Sequence, residues 1–499
     1  MIIPSARRAV PILLAIAAAI AGAGVARHYA NLGLTLSHYD ARGHLVVARR
    51  IFDSLTPGWQ QIGAVWLPLP HLLNALPVQI DLFYRTGASA IAMSIASFAI
   101  ATAAIGWIVW LITESSGAAV AAAAVFALNP NVLYLQATPM TEPLLMALTT
   151  IAVALLMDDV AHRDPERVAR RVPITGWALA LACLTRYEAW PVTCVALGAA
   201  IWARWRAGDS LEESLRPIGR VAVYPAVAVL AFTLFSRAVV GQWFVSGDFF
   251  VPENKALGDP LLAAAEIGWG TRTLSGTALL AVGAAGAVVA AGIGLATRQR
   301  ARALVGLSLM STAAVPWVAF VKGHPFRIRY MVPLIVMEAV GAGVLVGISR
   351  VRAVRIAGAV ALLALAGYEL RPLDASAPMV VEAQWDRPNA PVRAAVTACL
   401  GSPDSGEKIM ASMGSLGHYM QEASRAGFAI RNFLHEGNGD IWLAALESPR
   451  PFAEWVLIEE KAQGGDILAK RAREHPRFLD GYSRTCEGAG LALYKRAKN

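Results

Sequence analysis

Asp40 and His44, a carboxylate and an imidazole four residues apart, are the first residues of this chain whose types and spacing can do chemistry. If residues 40–55 form a helix, both lie on the same side as an apolar stripe made of Leu45, Ala48, Ile51, Phe52 and Leu55. Turning such groups toward a packed face costs desolvation free energy, so we expect them to be paired or functional. A carboxylate in this position can accept a proton, and the two side chains together can contribute to a cation site.

The composition shows that membrane helices must position these residues. The 499 residues are 56% hydrophobic and only 16% charged, with a mean hydropathy of +0.50, far more apolar than a soluble globular chain. The formal net charge of +9 comes mostly from basic residues in short loops between apolar runs. Those residues therefore indicate topology, and we expect no nucleic-acid partner. Abundant Ala, Gly and Arg with little Lys are typical of a bacterium with GC-rich codons.

Apolar runs of spanning length recur along the first three quarters of the chain. The run at 10–25 is expected to be a retained first span rather than a cleaved signal peptide, because it is long and the Asp40 stretch follows at once. Residues 28–86 then form a large mixed loop, whose segment 66–71 is rich in aromatic residues and prolines suited to the interface. Further runs lie near 87–112, 118–136, 140–157, 220–240, 277–296, 303–321, 330–349 and 355–371.

The basic loops predict which side of the membrane each segment faces. Four basic loops should be cytoplasmic by the positive-inside rule, namely 162–171, 204–220, 298–302 and 350–355. The apolar stretch 174–202 lies between the first two, so it must cross twice, as two short helices with Arg186 and Glu188 near the outer turn. The prediction is an all-α polytopic protein of about eleven spans with its amino terminus inside.

This topology places four segments on the outer face: the Asp40 loop, 129–142, 241–276 and 322–329. The last of these carries Arg327 and Arg329, which can be ordinary juxtamembrane anchors. The positive-inside rule disfavours arginines on this face unless something anionic holds them.

The tail, residues 372–499, is predicted to be a soluble α/β domain on the outer side. Short apolar strands at 408–412, 428–430, 455–458 and 491–494 alternate with amphipathic helices, one of which passes through Tyr419. Cys399 and Cys486 bracket this domain and can form a disulfide in an oxidising compartment, or remain two buried thiols. Cys183 and Cys194 lie in apolar helices and most simply fill space.

Three segments in this order and on one face resemble the integral-membrane glycosyltransferases of the GT-C fold. They are His38-Tyr39-Asp40, Pro139-Met140-Thr141-Glu142-Pro143 and Arg327-Ile328-Arg329-Tyr330-Met331-Val332-Pro333. The nearest relatives would be the protein O-mannosyltransferases, the lipid A aminoarabinose transferases and the rhizobial core-oligosaccharide transferases. The resemblance covers residues 1–371, the expected transmembrane domain.

The resemblance implies transfer of a sugar from a polyprenyl-phosphate carrier to an acceptor hydroxyl at the outer face of the bacterial cytoplasmic membrane. An inverting transfer needs a carboxylate to take the acceptor proton, and Asp40 is the expected base, with Glu142 as a second catalytic acid. Cationic donors must stabilise the leaving lipid phosphate, and the candidates are Arg329, Arg327, Tyr330 and Arg186. His44 and Glu188 are candidates for contact with the substrate or a metal.

Several of these residues also have purely structural interpretations. Asp40 can cap its helix or pair with Arg42, and His44 can be a satisfied interfacial histidine. Glu142 can be a first-turn acid favoured by the helix dipole of the next span. Arg186 and Glu188 can simply neutralise each other.

The cofactor remains open at this point. Many relatives carry paired acids in the first loop, whereas this chain has Asp40-Ala41-Arg42, which disfavours a metal held by two neighbouring first-loop carboxylates. A divalent cation can still be held if the fold brings Asp40 together with Glu142 or His44.

The acceptor is also open among protein, lipid, lipopolysaccharide and polyprenyl glycan. The segment 413–419 can present polar groups to a sugar, or be only a strand-to-helix turn. A transporter or flippase of a lipid-linked saccharide is the alternative function, and it predicts an internal repeat with broken helices in two halves. No such repeat is seen, because the long first loop has no counterpart in the second half.

Overall fold

The structure, a computed structural model, describes residues 5–497 except 64, 163, 242, 244–251, 404 and 405. Arg163 of the first basic loop and residues 242 and 244–251 of the outer loop expected at 241–276 lie outside the described residues. The described chain is mainly helical up to residue 400 and mixed helix and sheet beyond it.

Seven helices of the described chain are long and apolar enough to cross a membrane, judged by length and composition: Ala9–Asn31, Ala88–Thr113, Glu142–Val160, Leu211–Val240, Thr277–Ala296, Ala303–Val321 and Ile328–Gly347. The other predicted spans correspond to helices that are shorter or less apolar. The number of eleven therefore stays a prediction.

The helices of the first part follow one another with short connections. They are α1 Ser5–Asn31, α2 Tyr39–Arg50, α3 Leu69–Ala75, α4 Asp81–Thr86, α5 Ala88–Thr113, α6 Ser116–Ala127, α7 Pro130–Leu135, α8 Glu142–Val160, α9 Pro165–Cys183, α10 Ala189–Arg206, α11 Leu211–Val240, α12 Pro260–Ser275, α13 Thr277–Ala296, α14 Ala303–Leu307, α15 Ala314–Val321, α16 Leu334–Gly347 and α17 Arg352–Glu369. The two helices expected within 174–202 are α9 and α10, separated at residues 184–188.

The helices pack through small residues. Helices α1, α6 and α8 surround α5, and α13 crosses α16. At that crossing the backbones touch, because a Cβ added at Gly286 would lie 1.7 Å from the carbonyl oxygen of Gly341. Without a hydrophobic driving force between helices in lipid, such close contact through glycine is a main source of packing free energy.

Two predicted elements end differently from expectation. The helix expected over 40–55 stops at Arg50, and Phe52 is 54% exposed, because the chain turns there to meet the carboxyl-terminal part. The run 118–136 is two helices rather than one, because Pro130 begins α7 and the Asn129 side chain caps it.

The carboxyl-terminal part contains one five-stranded sheet in the order β2-β1-β3-β5-β4. Its strands are β1 Ile409–Ala411, β2 Phe433–Leu434, β3 Trp455–Glu459, β4 Tyr482–Gly488 and β5 Leu491–Arg496, and its helices are α18 Pro378–Glu382, α19 Ala390–Ala398, α20 Met413–Ala423, α21 Asp440–Glu447 and α22 Ile467–Glu474. Strands β2, β1 and β3 are parallel, whereas β5 pairs antiparallel with β3 and β4.

Three of the four predicted strands are present, at β1, β3 and β5. The strand expected at 428–430 is wrong, because β2 lies three residues later and residues 430–432 form a 3₁₀ turn. Strand β4 is missing from the sequence-based prediction, because most of its residues are polar and neither face of the strand is apolar. Cys399 and Cys486 form a disulfide that ties the end of α19 to β4.

Candidate active site

Asp40 lies in the first turn of α2, and its position is set by the residue before that helix. The backbone N–H of Asp40 donates to Nδ1 of His38 at 3.1 Å, so His38 caps the helix. The other ring nitrogen of His38 lies 3.4 Å from a carboxylate oxygen of Glu382 in α18. His38 therefore links the start of α2 to α18. Only 8% of the surface of Asp40 is exposed.

The partner of Asp40 is Arg329, in the 3₁₀ turn that leads into α16. A guanidinium nitrogen of Arg329 forms an ion pair with Oδ2 of Asp40, and Arg329 is only 7% exposed. Burial on its own would raise the pKa of the Asp40 carboxyl, but Arg329, His38 and His44 together outweigh this effect, and the pKa is lowered to about 2. The Nε atom of Arg329 has no hydrogen-bond partner among the described residues.

A second group of charges surrounds Arg186, in the turn between α9 and α10. Its Nη1 lies 3.0 Å from Oε1 of Glu142 and 3.0 Å from Oγ1 of Thr141. Its Nη2 donates to Glu188 at 2.6 Å. Glu142 is fully buried, yet its second carboxylate oxygen has no hydrogen-bond partner in the described part of the chain.

The two groups belong to one site. Arg329 interacts electrostatically with Glu142 as well as Asp40, and Arg186 is close enough to Arg329 to be repelled by it. His44 is influenced by Asp40, Arg329 and Arg186 together. Four separate segments thus bring three carboxylates and two guanidinium groups to one place.

The remaining candidates lie around this site. The Tyr330 ring packs 5.4 Å from the guanidinium carbon of Arg329. Arg327 is half-buried and close enough to the Tyr39 hydroxyl to act on it electrostatically. Arg327 makes no ion pair with a described residue, so its charge is available to an anion.

His44 does not contact Asp40 directly but pairs with a second histidine. Its Nδ1 lies 3.1 Å from Nε2 of His71 in α3, and the His44 ring packs against Trp66 at a centroid distance of 4.1 Å. A small cavity of about 20 Å³ lies beside both imidazoles, and Thr141 lines it as well.

The acids of this site are occupied by arginines. No group of three or more His, Cys, Asp or Glu side chains suited to a metal occurs among the described residues. Asp40 is paired with Arg329 and Glu142 with Arg186, so a divalent cation would meet a guanidinium charge at either carboxylate, although the second oxygen of Glu142 has no hydrogen-bond partner among the described residues.

Several structural interpretations of the sequence can now be decided. Arg42 does not pair with Asp40; it donates to the carbonyl of Leu36 at 2.6 Å and pairs with Glu422 of α20 at 3.2 Å. Arg186 and Glu188 do pair, but Glu142 shares the same guanidinium. The segment 413–419 forms the first two turns of α20 and is largely buried.

The carboxyl-terminal part holds α2 along its length. Gly417 of α20 faces Gly43 of α2, with only 4.0 Å between an added Cβ and the opposite Cα. Beyond α2, Asp53 accepts hydrogen bonds from the backbone N–H groups of Ile430 and Arg431, both at 3.3 Å. The position of Asp40 therefore depends on this part of the chain.

Sequence reasoning missed His38, Glu382 and His71 as members of the site. His38 had a detectable signal, since a residue preceding a helix can cap it. Glu382 and His71 had none, because their contacts link residues far apart in the chain.

No family model matches this sequence, and no curated protein matches it. Among solved structures, the chain is similar to ArnT from Cupriavidus metallidurans bound to undecaprenyl phosphate, at 12% identity and a TM-score of 0.57 over 97% of each chain. It also resembles the Archaeoglobus fulgidus oligosaccharyltransferase in complex with zinc and sulfate, at 12% identity and a TM-score of 0.47 over 90% of this chain and 68% of that one. The first similarity confirms the expected GT-C fold.

Proposed function

We propose that this protein is a membrane glycosyltransferase that moves a sugar from a polyprenyl-phosphate donor to a hydroxyl of an envelope acceptor. The observation that carries the proposal is the buried ion pair between Asp40 and Arg329. A general base and a phosphate-binding cation in direct contact are the two groups that this transfer requires. The shared fold with a protein bound to undecaprenyl phosphate supports this class of donor.

Donor binding is the first step. Arg329 has a free Nε–H and Arg327 has no ion pair among the described residues, so both can donate to the phosphate oxygens of the donor. A phosphate that draws Arg329 toward itself weakens the hold of that guanidinium on Asp40. The Asp40 carboxylate then becomes a stronger base than it is in the empty site.

Transfer follows from this arrangement. The acceptor hydroxyl oxygen attacks the anomeric carbon of the sugar, and the bond from that carbon to the phosphate oxygen breaks. The hydroxyl proton passes to Asp40, and the bond electrons leave with the polyprenyl phosphate, whose growing charge Arg329 and Arg327 stabilise. Glu142, through its unpartnered oxygen, can accept a hydrogen bond from a sugar hydroxyl while Arg186 holds it in place.

Release of the carrier tests the proposal. The purified protein, supplied with an undecaprenyl-phosphate sugar labelled in the sugar and with an envelope extract, should release undecaprenyl phosphate and label an acceptor. Asp40→Asn should lower that rate by about 100-fold or more, the usual worth of a general base. Asp81→Asn is the matched control, because it removes an exposed carboxylate of the same loop that pairs with Arg49 and Arg85.

The outcomes separate the parts of the proposal. Full turnover by Asp40→Asn would show that the base is another residue. Movement of the intact lipid-linked sugar across vesicles without carrier release would favour the transporter alternative. Absence of both would remove the proposed function.

A further inference from the structure

A chain of hydrogen bonds runs from α2 through α3 to the backbone just before α3, beside the acid and arginine pairs. Nδ1 of His44 and Nε2 of His71 are 3.1 Å apart, and Nδ1 of His71 is 3.1 Å from the carbonyl oxygen of Leu67. Both histidines are buried, at 6% and 1% exposure. Neither the ion pairs nor the proposed transfer steps involve these two hydrogen bonds.

The last acceptor in this series of hydrogen bonds, the carbonyl oxygen of Leu67, decides which ring nitrogens carry a hydrogen. A carbonyl oxygen can only accept, so Nδ1 of His71 must carry a hydrogen and donate to Leu67. In a neutral His71, Nε2 is then the acceptor, so Nδ1 of His44 must donate to it. A neutral His44 consequently has a bare Nε2 lone pair, and this atom makes no hydrogen bond with any residue that the structure describes.

Packing fixes the two rings in this arrangement. The Trp66 ring lies against His44, and it stacks on His71 at a centroid distance of 5.9 Å and an interplanar angle of 19°. The adjoining cavity of about 20 Å³ is lined by both histidines and by Thr141. That volume suits one water molecule or one hydroxyl group.

The surroundings keep both imidazoles neutral. Burial lowers the pKa of His71 to about 3, with Arg50 adding to the effect. Burial also lowers the pKa of His44 well below its ordinary value, and His71, Arg329 and Arg186 act in the same direction, while Asp40 opposes them. These are the charged and titratable groups that face His44 from α2, α3 and the turns before α10 and α16.

We infer that Nε2 of His44 accepts a hydrogen bond from a hydroxyl group of the substrate, and that His71 is the positioning residue that fixes the required tautomer. His44 lies one helical turn after Asp40, so a hydroxyl held by His44 is presented close to the base. The identity of that hydroxyl as one of a sugar or acceptor rests on the proposed function. The tautomer itself does not, because it follows from the hydrogen bonds alone.

The first test measures the tautomer without any turnover. NMR of the full-length protein labelled with ¹⁵N-histidine, with the His44 signal assigned from its loss in His44→Gln, should show a protonated Nδ1 and a bare Nε2. His71→Leu removes the acceptor and should allow His44 to take the Nε2–H tautomer. His71→Gln offers an amide oxygen in place of the imidazole lone pair and should preserve the original tautomer.

The second test uses carrier release from the undecaprenyl-phosphate sugar. His71→Leu should lower kcat by about tenfold, the worth of one hydrogen bond, with little change in KM for the donor. His71→Gln should recover most of the loss. Leu73→Ala, on the exposed side of the same helix, is the control for damage to α3, and thermal unfolding of each variant checks folding.

The results distinguish the inference from the function on which it rests. A wild-type His44 with a protonated Nε2 would overturn the inference even if carrier release were normal. Loss of activity on chelation, restored by zinc only when His44 is present, would also overturn it by making Nε2 a metal ligand. The expected tautomer without any carrier release would instead count against the proposed function. Equal kcat values for His71→Leu and wild type would refute the hydrogen bond between His44 and a substrate hydroxyl.

Discussion

Replacing Asp40 by Asn should tighten the binding of undecaprenyl phosphate while lowering the rate of transfer by about 100-fold or more. In the empty site Asp40 holds Arg329 in a buried ion pair, and a phosphate must compete with that carboxylate for the same guanidinium. Asn keeps the shape of the side chain but removes its charge. Arg329 is then left as an unpaired buried cation, for which an anion is the best partner.

The size of the effect follows from the pKa of Asp40. The pKa is lowered from an ordinary 3.8 to about 2. This lowering corresponds to a net stabilisation of the carboxylate by about 2 kcal/mol after the cost of burial, and Arg329 makes the largest favourable contribution to it. Part of this free energy opposes phosphate binding, so we expect Asp40→Asn to lower the Kd for undecaprenyl phosphate by about 10-fold to 100-fold.

Thermal unfolding in detergent measures the same effect in another way. Without ligand, Asp40→Asn should be less stable than wild type, by about 3–5 kcal/mol if Arg329 finds no new partner. Saturating undecaprenyl phosphate should raise the Tm of the variant more than that of wild type. Asp81→Asn should match wild type in both Kd and Tm shift, because its carboxylate is half-exposed and pairs with Arg49 and Arg85.

Unchanged or weaker binding by Asp40→Asn would refute the assignment of Arg329 to the phosphate. The pH dependence gives a further check with a defined sign. A lowered pKa means that the ion pair contributes its full stability above about pH 4 and loses it as the pH falls through about 2. The difference in stability between wild type and Asp40→Asn should therefore be constant at neutral pH and shrink only in strong acid.

Three further variants test other parts of the structure. Arg186→Met should destabilise the fold by about 3–5 kcal/mol, because it leaves the buried Glu142 without its cation, and adding Glu142→Gln should recover part of the lost Tm. Glu382→Gln should weaken the cap on α2 and lower kcat severalfold with little change in donor KM, as carrier-release kinetics will show. Cys399→Ser should cost about 2–4 kcal/mol by opening the link to Cys486, so that its Tm no longer responds to reducing agent, whereas wild type loses Tm on reduction.

Much of the fold could be predicted because membrane helices leave a strong signal in the sequence. Long apolar runs must be helices, since lipid satisfies no backbone polar group, and the basic loops then assign their direction. This reasoning predicts two short helices within 174–202, and the presence of α9 and α10 confirms that there are two. Strand β4 had no comparable signal, because it is an edge strand with exposed polar side chains.

The sequence could indicate candidate residues of the site but not which of them form ion pairs with each other. Asp40 stood out because it lies on an apolar helical face, and Arg329 because an arginine is disfavoured on the outer side. Their ion pair joins positions 40 and 329, which are 289 residues apart. Only the tertiary contact between α2 and the turn before α16 brings them together. The helix predicted over 40–55 was too long for a similar reason, since Asp53 leaves the helix to bind the backbone of Ile430 and Arg431.

The ion pair also suggests how charge is balanced during the proposed reaction. The donor is a phosphodiester with one negative charge, and the leaving polyprenyl phosphate is a monoester that gains charge as the sugar departs. In the same step Asp40 takes a proton and becomes neutral, so Arg329 loses its internal partner at the moment when the phosphate needs a cation most. The interaction between Arg329 and phosphate is thus stronger in the transition state than with bound donor, which is the condition for a contact to accelerate a reaction. When Asp40 later gives up its proton, its low pKa in the empty site favours return of the ion pair with Arg329 and so favours release of the carrier.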